Sequence, residues 1–382
     1  MRRLVHITTV AHSLGFLRGQ PALLREAGID VQAITSPGPR VEAFANELEI
    51  PVHTVEMPRR ITPGRDLLAL RRLVELLHEL QPDIVHAHTP KAGLLGMISA
   101  TLAAAPVRIY HLRGLPFETA KGWKRSLLIT TELVSCTLAH RVIAVGHHVR
   151  DTAIQIGVCR QEKIKVLGNG SGQGVDIERF DPERFGAKER RQIRADFGIP
   201  DDALVIGFVG RIVRDKGVIT LAEAWKELRE EFPNAHLFIV GPFETRDPVP
   251  DVVRAELTDD PRVHLTGFVS DTVTAYAAMD IFTLPTYREG FPNAPLEAAA
   301  MGLPTVVSDI APCREAIQDN VTGSCFSVGD TTELKRTLRR YLADATLRRD
   351  HGAAGRARVL RDFDSRRLRE EILSTYNHLL SR

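Results

Sequence analysis

Short runs of aliphatic and β-branched residues alternate with longer amphipathic segments along nearly the whole chain, and this alternation limits the fold more than any single motif does. In the first half the runs are Leu4–Val10, Val31–Ser36, Asp83–His88, Val107–Leu112 and Arg141–Gly146. Each has the length and character of a strand buried on both faces. Between them, Asp66–Leu80 places Leu67, Leu70, Leu73, Leu77 and Leu80 on one helical stripe with charges opposite. Strand and helix in alternation predict a parallel sheet covered on both sides.

The pattern pauses over residues 168–203, rich in Gly, Pro and charge, and resumes with Leu204–Gly210, His236–Gly241, Val263–Phe268, Asp280–Pro285 and Pro304–Asp309. A chain of 382 residues also exceeds the length at which one core usually stops growing. We therefore expect an α/β protein with two Rossmann-like, doubly wound parallel-sheet domains facing each other across a cleft. The expected limits are 1–185 and 186–364, with a last helix, 365–382, crossing back to the first domain. Ligands of open α/β sheets bind beyond the carboxyl ends of the strands, so the chemistry is sought in loops that follow strands.

Charge is uneven: residues 1–190 carry 25 Lys and Arg against 19 Asp and Glu, and the remainder 25 against 29. A basic first half suits an anionic partner, a phosphate-bearing acceptor or a membrane surface, or is simply solvated charge. Without interleaved aromatic and basic repeats, nucleic acid is not an expected partner. Cys136, Cys159, Cys313 and Cys325 show no C-x-x-C spacing and read as buried, reduced thiols. The opening residues are too interrupted by His and Thr for a signal peptide, and no apolar run has membrane-spanning length. A cytoplasmic location is expected.

Two strand ends carry the strongest signals. "GRIVRDKG" sets Arg211 and Lys216 among glycines ahead of a helix, where two cations can converge on an anion. Neither the P-loop nor the G-x-G-x-x-G pattern is present at these positions. "YREGFPNAPLEAAAMGLP" sets Glu289 beside Gly290 in a loop, and Glu297 in the first turns of a helix that Asn293 can cap. A carboxylate facing a ligand accepts two hydroxyl hydrogen bonds, as a ribose diol requires; two carboxylates also serve acid–base chemistry or a metal.

These residues resemble the retaining family 4 glycosyltransferases of GT-B fold, most strongly over residues 204–330. The Glu289-x7-Glu297 spacing and the Gly-Arg-x4-Lys-Gly segment carry the likeness. The resemblance implies that Arg211 and Lys216 hold the donor diphosphate and stabilise the leaving group, with Glu289 at hydroxyls of the transferred sugar. It implies that Glu297 binds the ribose, that Gly290, Phe291 and Pro292 line the sugar and phosphate pocket, and that Phe268 and Val269 meet the nucleobase through backbone groups. Gly15 would bring backbone to the diphosphate; many members have a Gly pair there, and this chain has one Gly.

"HAHTPKAG" puts His88 and Lys91 where the acceptor would lie, and a metal is not expected because no third ligand lies nearby in sequence. The family often places a His after the fifth strand; here His111 precedes Arg113, which stands at that position and cannot act as a base. "PKAGLLG", "RGLPFE" and "GNGSGQGVD" resemble the subgroup that assembles bacterial capsule, exopolysaccharide and O-antigen. The implied donor is a nucleotide-diphosphate sugar, favoured as UDP, with a glycan or polyprenyl-diphosphate-linked acceptor and no further cofactor. Lys121, Trp123, Lys124 and Arg125, with Arg59, Arg60 and Arg65, suit peripheral contact with an anionic membrane face. A nucleotide-sugar epimerase of the same architecture and a non-catalytic glycosyltransferase-like partner are the alternatives.

Overall fold

The computed structural model describes residues 1–381. The chain divides into two compact units, Met1–Gln173 together with the segment that begins at Arg366, and Gly174–Ser365. The first unit holds strands β1 (Arg2–Ile7), β2 (Ile29–Thr35), β3 (Val52–Thr54), β4 (Ile84–His88), β5 (Val107–Leu112), β6 (Arg141–Ala144) and β7 (Ile164–Val166). They form one parallel sheet in the order β3-β2-β1-β4-β5-β6-β7. Its helices are α1 (Gln20–Glu26), α2 (Val41–Leu48), α3 (Pro63–Leu80), α4 (Pro90–Leu102), α5 (Gly122–Leu138) and α6 (His147–Gln155).

The second unit repeats the plan with β8 (Leu204–Val209), β9 (Ala235–Val240), β10 (Val263–Leu265), β11 (Ile281–Leu284), β12 (Thr305–Ser308) and β13 (Gly323–Phe326). Their order is β10-β9-β8-β11-β12-β13, again parallel. Helices α7 (Ala187–Asp196), α8 (Val218–Glu231), α9 (Asp251–Asp259), α10 (Val273–Ala277), α11 (Asn293–Ala300), α12 (Ala311–Ala316), α13 (Thr331–Ala343) and α14 (Ala345–Asp362) accompany this sheet. In each unit the strand order reverses direction at one point, between β1 and β4 and between β8 and β11. Loops leaving such neighbours part company and open a crevice, which is where open α/β sheets bind their ligands.

Helix α15 (Ser365–Leu380) packs with the first unit. Leu368, Ile372 and Tyr376 fall four residues apart on one stripe and are buried against Leu4, Ile84, Ile109 and Ile143 on the sheet. Full burial of one such side chain stabilises by roughly 1.5–3 kcal/mol.

Several sequence expectations need correction. The units change over at Gln173–Gly174, not at 185, because Val175 already bridges to Asp364 and Phe180 lies in the second unit's core. Strands β3, β7 and β13 are not among the expected runs; each is three or four residues long, too short to show a period. Leu67 does not face the core: it is 68 % exposed, while Ala69, Leu73 and Leu77 form the buried stripe of α3. Cys136, Cys159 and Cys313 are buried, but Cys325 is half-buried; all four are free. Among the described residues no helix is long and apolar enough to cross a membrane.

Candidate functional site

In the second unit both motif loops flank the reversal point. β8 runs out at Val209, and Arg211 follows, 47 % exposed, with its guanidinium donating to Glu244 Oε2 at 2.9 Å. A short 3-10 turn, Arg214–Lys216, then delivers Lys216 to the start of α8. Gly217 at that junction has φ +70°, and a Cβ there would stand 1.7 Å from the Pro285 carbonyl oxygen. No other residue fits, so the first loop is pressed against the second.

The second loop, residues 285–292, leaves β11. Its Thr286 hydroxyl and Tyr287 amide donate to the Asp215 carbonyl at 3.2 and 2.9 Å, and Arg288 pairs with the Asp215 carboxylate at 2.8 Å. Lys216 Nζ donates to Glu289 Oε1, and both side chains are mostly buried, 18 % and 11 % exposed. The structure thus brings Lys216 and Glu289 into one ion pair and keeps Arg211 on a separate carboxylate. Sequence reasoning missed Asp215 and Arg288, which tie the loops together; they lie inside the quoted motifs, but their pairing is non-local.

Asn293 is the first residue of α11, and Pro292 occupies the position before it. Glu297 sits one turn in and accepts from the Tyr276 hydroxyl at 2.9 Å. Burial, and then the neighbouring Glu297 charge, push the Tyr276 hydroxyl well above its ordinary pKa, so it remains a donor at neutral pH. Gly290, Phe291 and Pro292 close the same loop. Phe268 and Val269 follow β10, Phe268 exposed and Val269 packed on the core.

The first unit's reversal point has a different lining. One face of its sheet begins apolar, with Leu4, Ile84 and Ile109, and two residues later carries His6, His86 and His111; His88 follows two further on. Register sets His6 beside His86 and His88 beside His111. All four imidazoles are buried. His6 Nδ1 lies 2.9 Å from His88 Nε2, and His86 Nδ1 lies 2.6 Å from the Tyr376 hydroxyl of α15. Nε2 of His6, Nε2 of His86 and both ring nitrogens of His111 are buried without a hydrogen-bond partner.

Arg113 continues this column beyond β5. Its Nε donates to His88 Nδ1 at 3.3 Å, its Nη2 approaches the Gly172 carbonyl at 3.5 Å, and the guanidinium lies 3.8 Å over the Phe16 ring. Burial, reinforced by the Arg113 charge, holds His6 down at about 3. Burial also puts His86, His88 and His111 well below the usual imidazole value, with neighbouring imidazoles and Arg113 adding to it. The cluster is therefore neutral at ordinary pH. Burial lowers Arg113 to about 9, which leaves it charged.

The connection from β4 to α4 is strained: Thr89, a β-branched residue, has φ +70° and ψ 152°. Such backbone costs on the order of 1–3 kcal/mol and collects at functional sites. Thr9 and Thr89 hydroxyls meet at 2.7 Å and fix it. Gly93 lets α4 lie against the sheet, since a Cβ there would be 2.2 Å from the Tyr110 ring. Lys91 is already engaged, donating to Asp66 Oδ1 at 2.7 Å and to the Arg60 carbonyl. Gly15, in the 3-10 turn Ala11–Leu17, has ordinary dihedrals and room for a methyl, so the fold itself does not require glycine there.

Lys121, Trp123, Lys124 and Arg125 surround the start of α5, where Trp123 is 75 % exposed. Ile61, Leu67 and Leu68, beside Arg59, Arg60 and Arg65, are exposed at the start of α3. Both α3 and α5 pack on α4.

Residues 17–170 match the family described as "Glycosyl transferase 4-like domain", and residues 203–344 the family "Glycosyl transferases group 1". The capsular polysaccharide biosynthesis glycosyltransferase CapM of Staphylococcus aureus is 33% identical over 379 residues, 99% of this chain and 98% of CapM. A UDP-Gal:alpha-D-GlcNAc-diphosphoundecaprenol alpha-1,3-galactosyltransferase of Escherichia coli is 29% identical over 76% of this chain and 74% of that one. Among solved structures, Anabaena Alr3699/HepE in complex with UDP-glucose superposes with a TM-score of 0.83 at 21% identity, covering 99% of this chain and 100% of that one. The motif loops at the second reversal point, the repeated sheet plan and this full-length likeness agree: the chain belongs to the family 4 glycosyltransferases of GT-B fold.

Proposed function

We propose that the protein transfers a hexosyl or N-acetylhexosaminyl group, with retention of anomeric configuration, from a UDP-sugar to a polyprenyl-diphosphate-linked glycan. The observation that carries this reading is the pairing of Lys216 with Glu289 beside Arg211 at the second unit's reversal point. As the bond from the anomeric carbon to the diphosphate oxygen breaks, negative charge collects on the leaving group, and cations held nearby lower the barrier. Diphosphate competes with Glu289 for Lys216, and the released Glu289 carboxylate accepts hydrogen bonds from sugar hydroxyls.

Glu297, which accepts from the Tyr276 hydroxyl, takes the ribose diol. Phe268 and Val269 meet the base through backbone, and Gly290, Phe291 and Pro292 line the phosphate and sugar. In the first unit Lys91 and Arg113 receive the acceptor, with Arg113 as the phosphate-pairing cation, while the buried His88 and His111 back Arg113 rather than meet the acceptor themselves. Relatives whose names specify diphosphoundecaprenol acceptors support this assignment. Exposed Trp123, Ile61, Leu67 and Leu68 among basic residues suit shallow insertion in an anionic bilayer, which would bring the enzyme to a lipid-borne acceptor.

The test is transfer from a panel of radiolabelled UDP-, GDP- and ADP-sugars to synthetic polyprenyl-diphosphate monosaccharides. One UDP-sugar should label the lipid; failure of every UDP-sugar with every such acceptor contradicts the proposal. Sedimentation with anionic vesicles should weaken when Lys121, Lys124 and Arg125 are replaced by Gln, and unchanged sedimentation rejects the membrane face.

A further inference from the structure

Buried imidazole nitrogens without partners are costly, and the first unit concentrates four of them in one place. His6, His86 and His88 each present one ring nitrogen such that the three atoms lie within 4.8 Å of one another, and all three rings are fully enclosed. The donor set is neutral and purely nitrogenous, which favours late first-row divalent ions over Mg²⁺ or Ca²⁺. The ligands come from two neighbouring strands whose register is fixed by the sheet, so the cluster is held together without any metal. The Tyr376 hydroxyl contacts the second nitrogen of His86, the outer-shell hydrogen bond that orients a ligating imidazole. His111, stacked on His86 with 7° between ring planes and with both nitrogens unpartnered, borders the same space.

We propose that His6, His86 and His88 form a binding site for a divalent transition-metal ion, Zn²⁺ or a neighbour in the series, enclosed beneath the strand ends of the first unit. The ion replaces the proton shared by His6 and His88. A ligating neutral His88 must carry its proton on the nitrogen that does not bind, so whichever nitrogen binds, the present contact from Arg113 Nε to His88 Nδ1 is broken. Arg113 is thus displaced when metal enters, and its charge opposes entry. Metal occupancy and the position of Arg113 are therefore coupled, whatever Arg113 itself binds.

The experiment uses the full-length chain without an affinity tag, stripped with chelator and dialysed against micromolar zinc, with metal counted by plasma mass spectrometry. One zinc per chain is expected, lost in His86→Asn and in His6→Asn, and weakened about tenfold or more in Tyr376→Phe, which removes only the outer-shell bond. Arg113→Gln should bind more tightly. Absence of zinc in the unaltered protein, or binding that survives the histidine substitutions, overturns the site. Should those variants fail to fold, cobalt added to the unaltered protein decides: intense visible bands of a four-coordinate nitrogen site support the proposal, and the weak spectrum of the hexaaquo ion overturns it.

Discussion

The two reversal points share one topology and carry opposite chemistry. In the second unit the charges ride on the loops: Arg211 with Glu244, Lys216 with Glu289 and Arg288 with Asp215 form three ion pairs, every member beyond a strand end. In the first unit the polar groups ride on the strands: His6, His86, His88 and His111 are buried and neutral, and all but His88 keep at least one ring nitrogen without a partner. Paired charge on a loop can exchange one partner for another, which suits an anionic donor that arrives and leaves. Neutral rings locked by register cannot rearrange as cheaply; they suit a fixed environment, with Arg113 as the charge beside it.

The largest effect that would test this contrast is expected at Lys216. Lys216→Ala should lower sugar transfer by about a hundredfold or more, by analogy with losing one preorganised group at a developing charge. Circular dichroism should show a retained fold, and near-normal turnover would break the assignment. The next contrast is in acid. The folded-state pKa of His6 is about 3 against 6.5 for an ordinary imidazole, and His86, His88 and His111 are lowered in the same direction. Below about pH 6.5 the unfolded chain therefore binds more protons than the folded one, and stability present at neutral pH is lost as pH falls, by up to about 1.4 kcal/mol per pH unit for each such group. In metal-free protein the first unit should gain hydrogen-exchange lability between pH 6.5 and pH 5 ahead of the second, where His236, His264 and His351 are lowered but only partly buried. Simultaneous loss in both units would remove the distinction.

Smaller changes sharpen the picture. Glu297→Ala should weaken UDP binding about tenfold, the scale of a lost charged hydrogen bond; calorimetry giving an unchanged affinity would take the ribose away from Glu297. Gly15→Ala should leave the melting temperature within about a degree, since the surroundings admit a methyl. A large drop would mean that Gly15 serves the fold after all.

Legibility in the sequence followed how local each feature is. The strand–helix alternation, the two-unit plan and the loops bearing Arg211, Lys216, Glu289 and Glu297 are written in contiguous stretches, and each was readable there. The histidine cluster was half visible: His86 and His88 alternate on one strand, but His6 joins them only through the β1–β4 register, 82 residues away. Leu67 fitted the helical period and yet lies outside the core, because the period gives a direction around the helix and not which turns touch the sheet. The hold of Gly217 on the Pro285 carbonyl, the Asp215–Arg288 tie and the strained Thr89 all depend on contacts between loops distant in sequence.

The most direct test of the central claim, that the donor belongs to the charged reversal point, is hydrogen–deuterium exchange with and without saturating UDP. The account predicts slowed exchange in peptides covering residues 211–217, 267–269 and 285–300. Unchanged exchange in all three of these segments, with protection confined to residues 84–113 of the first unit, would contradict it.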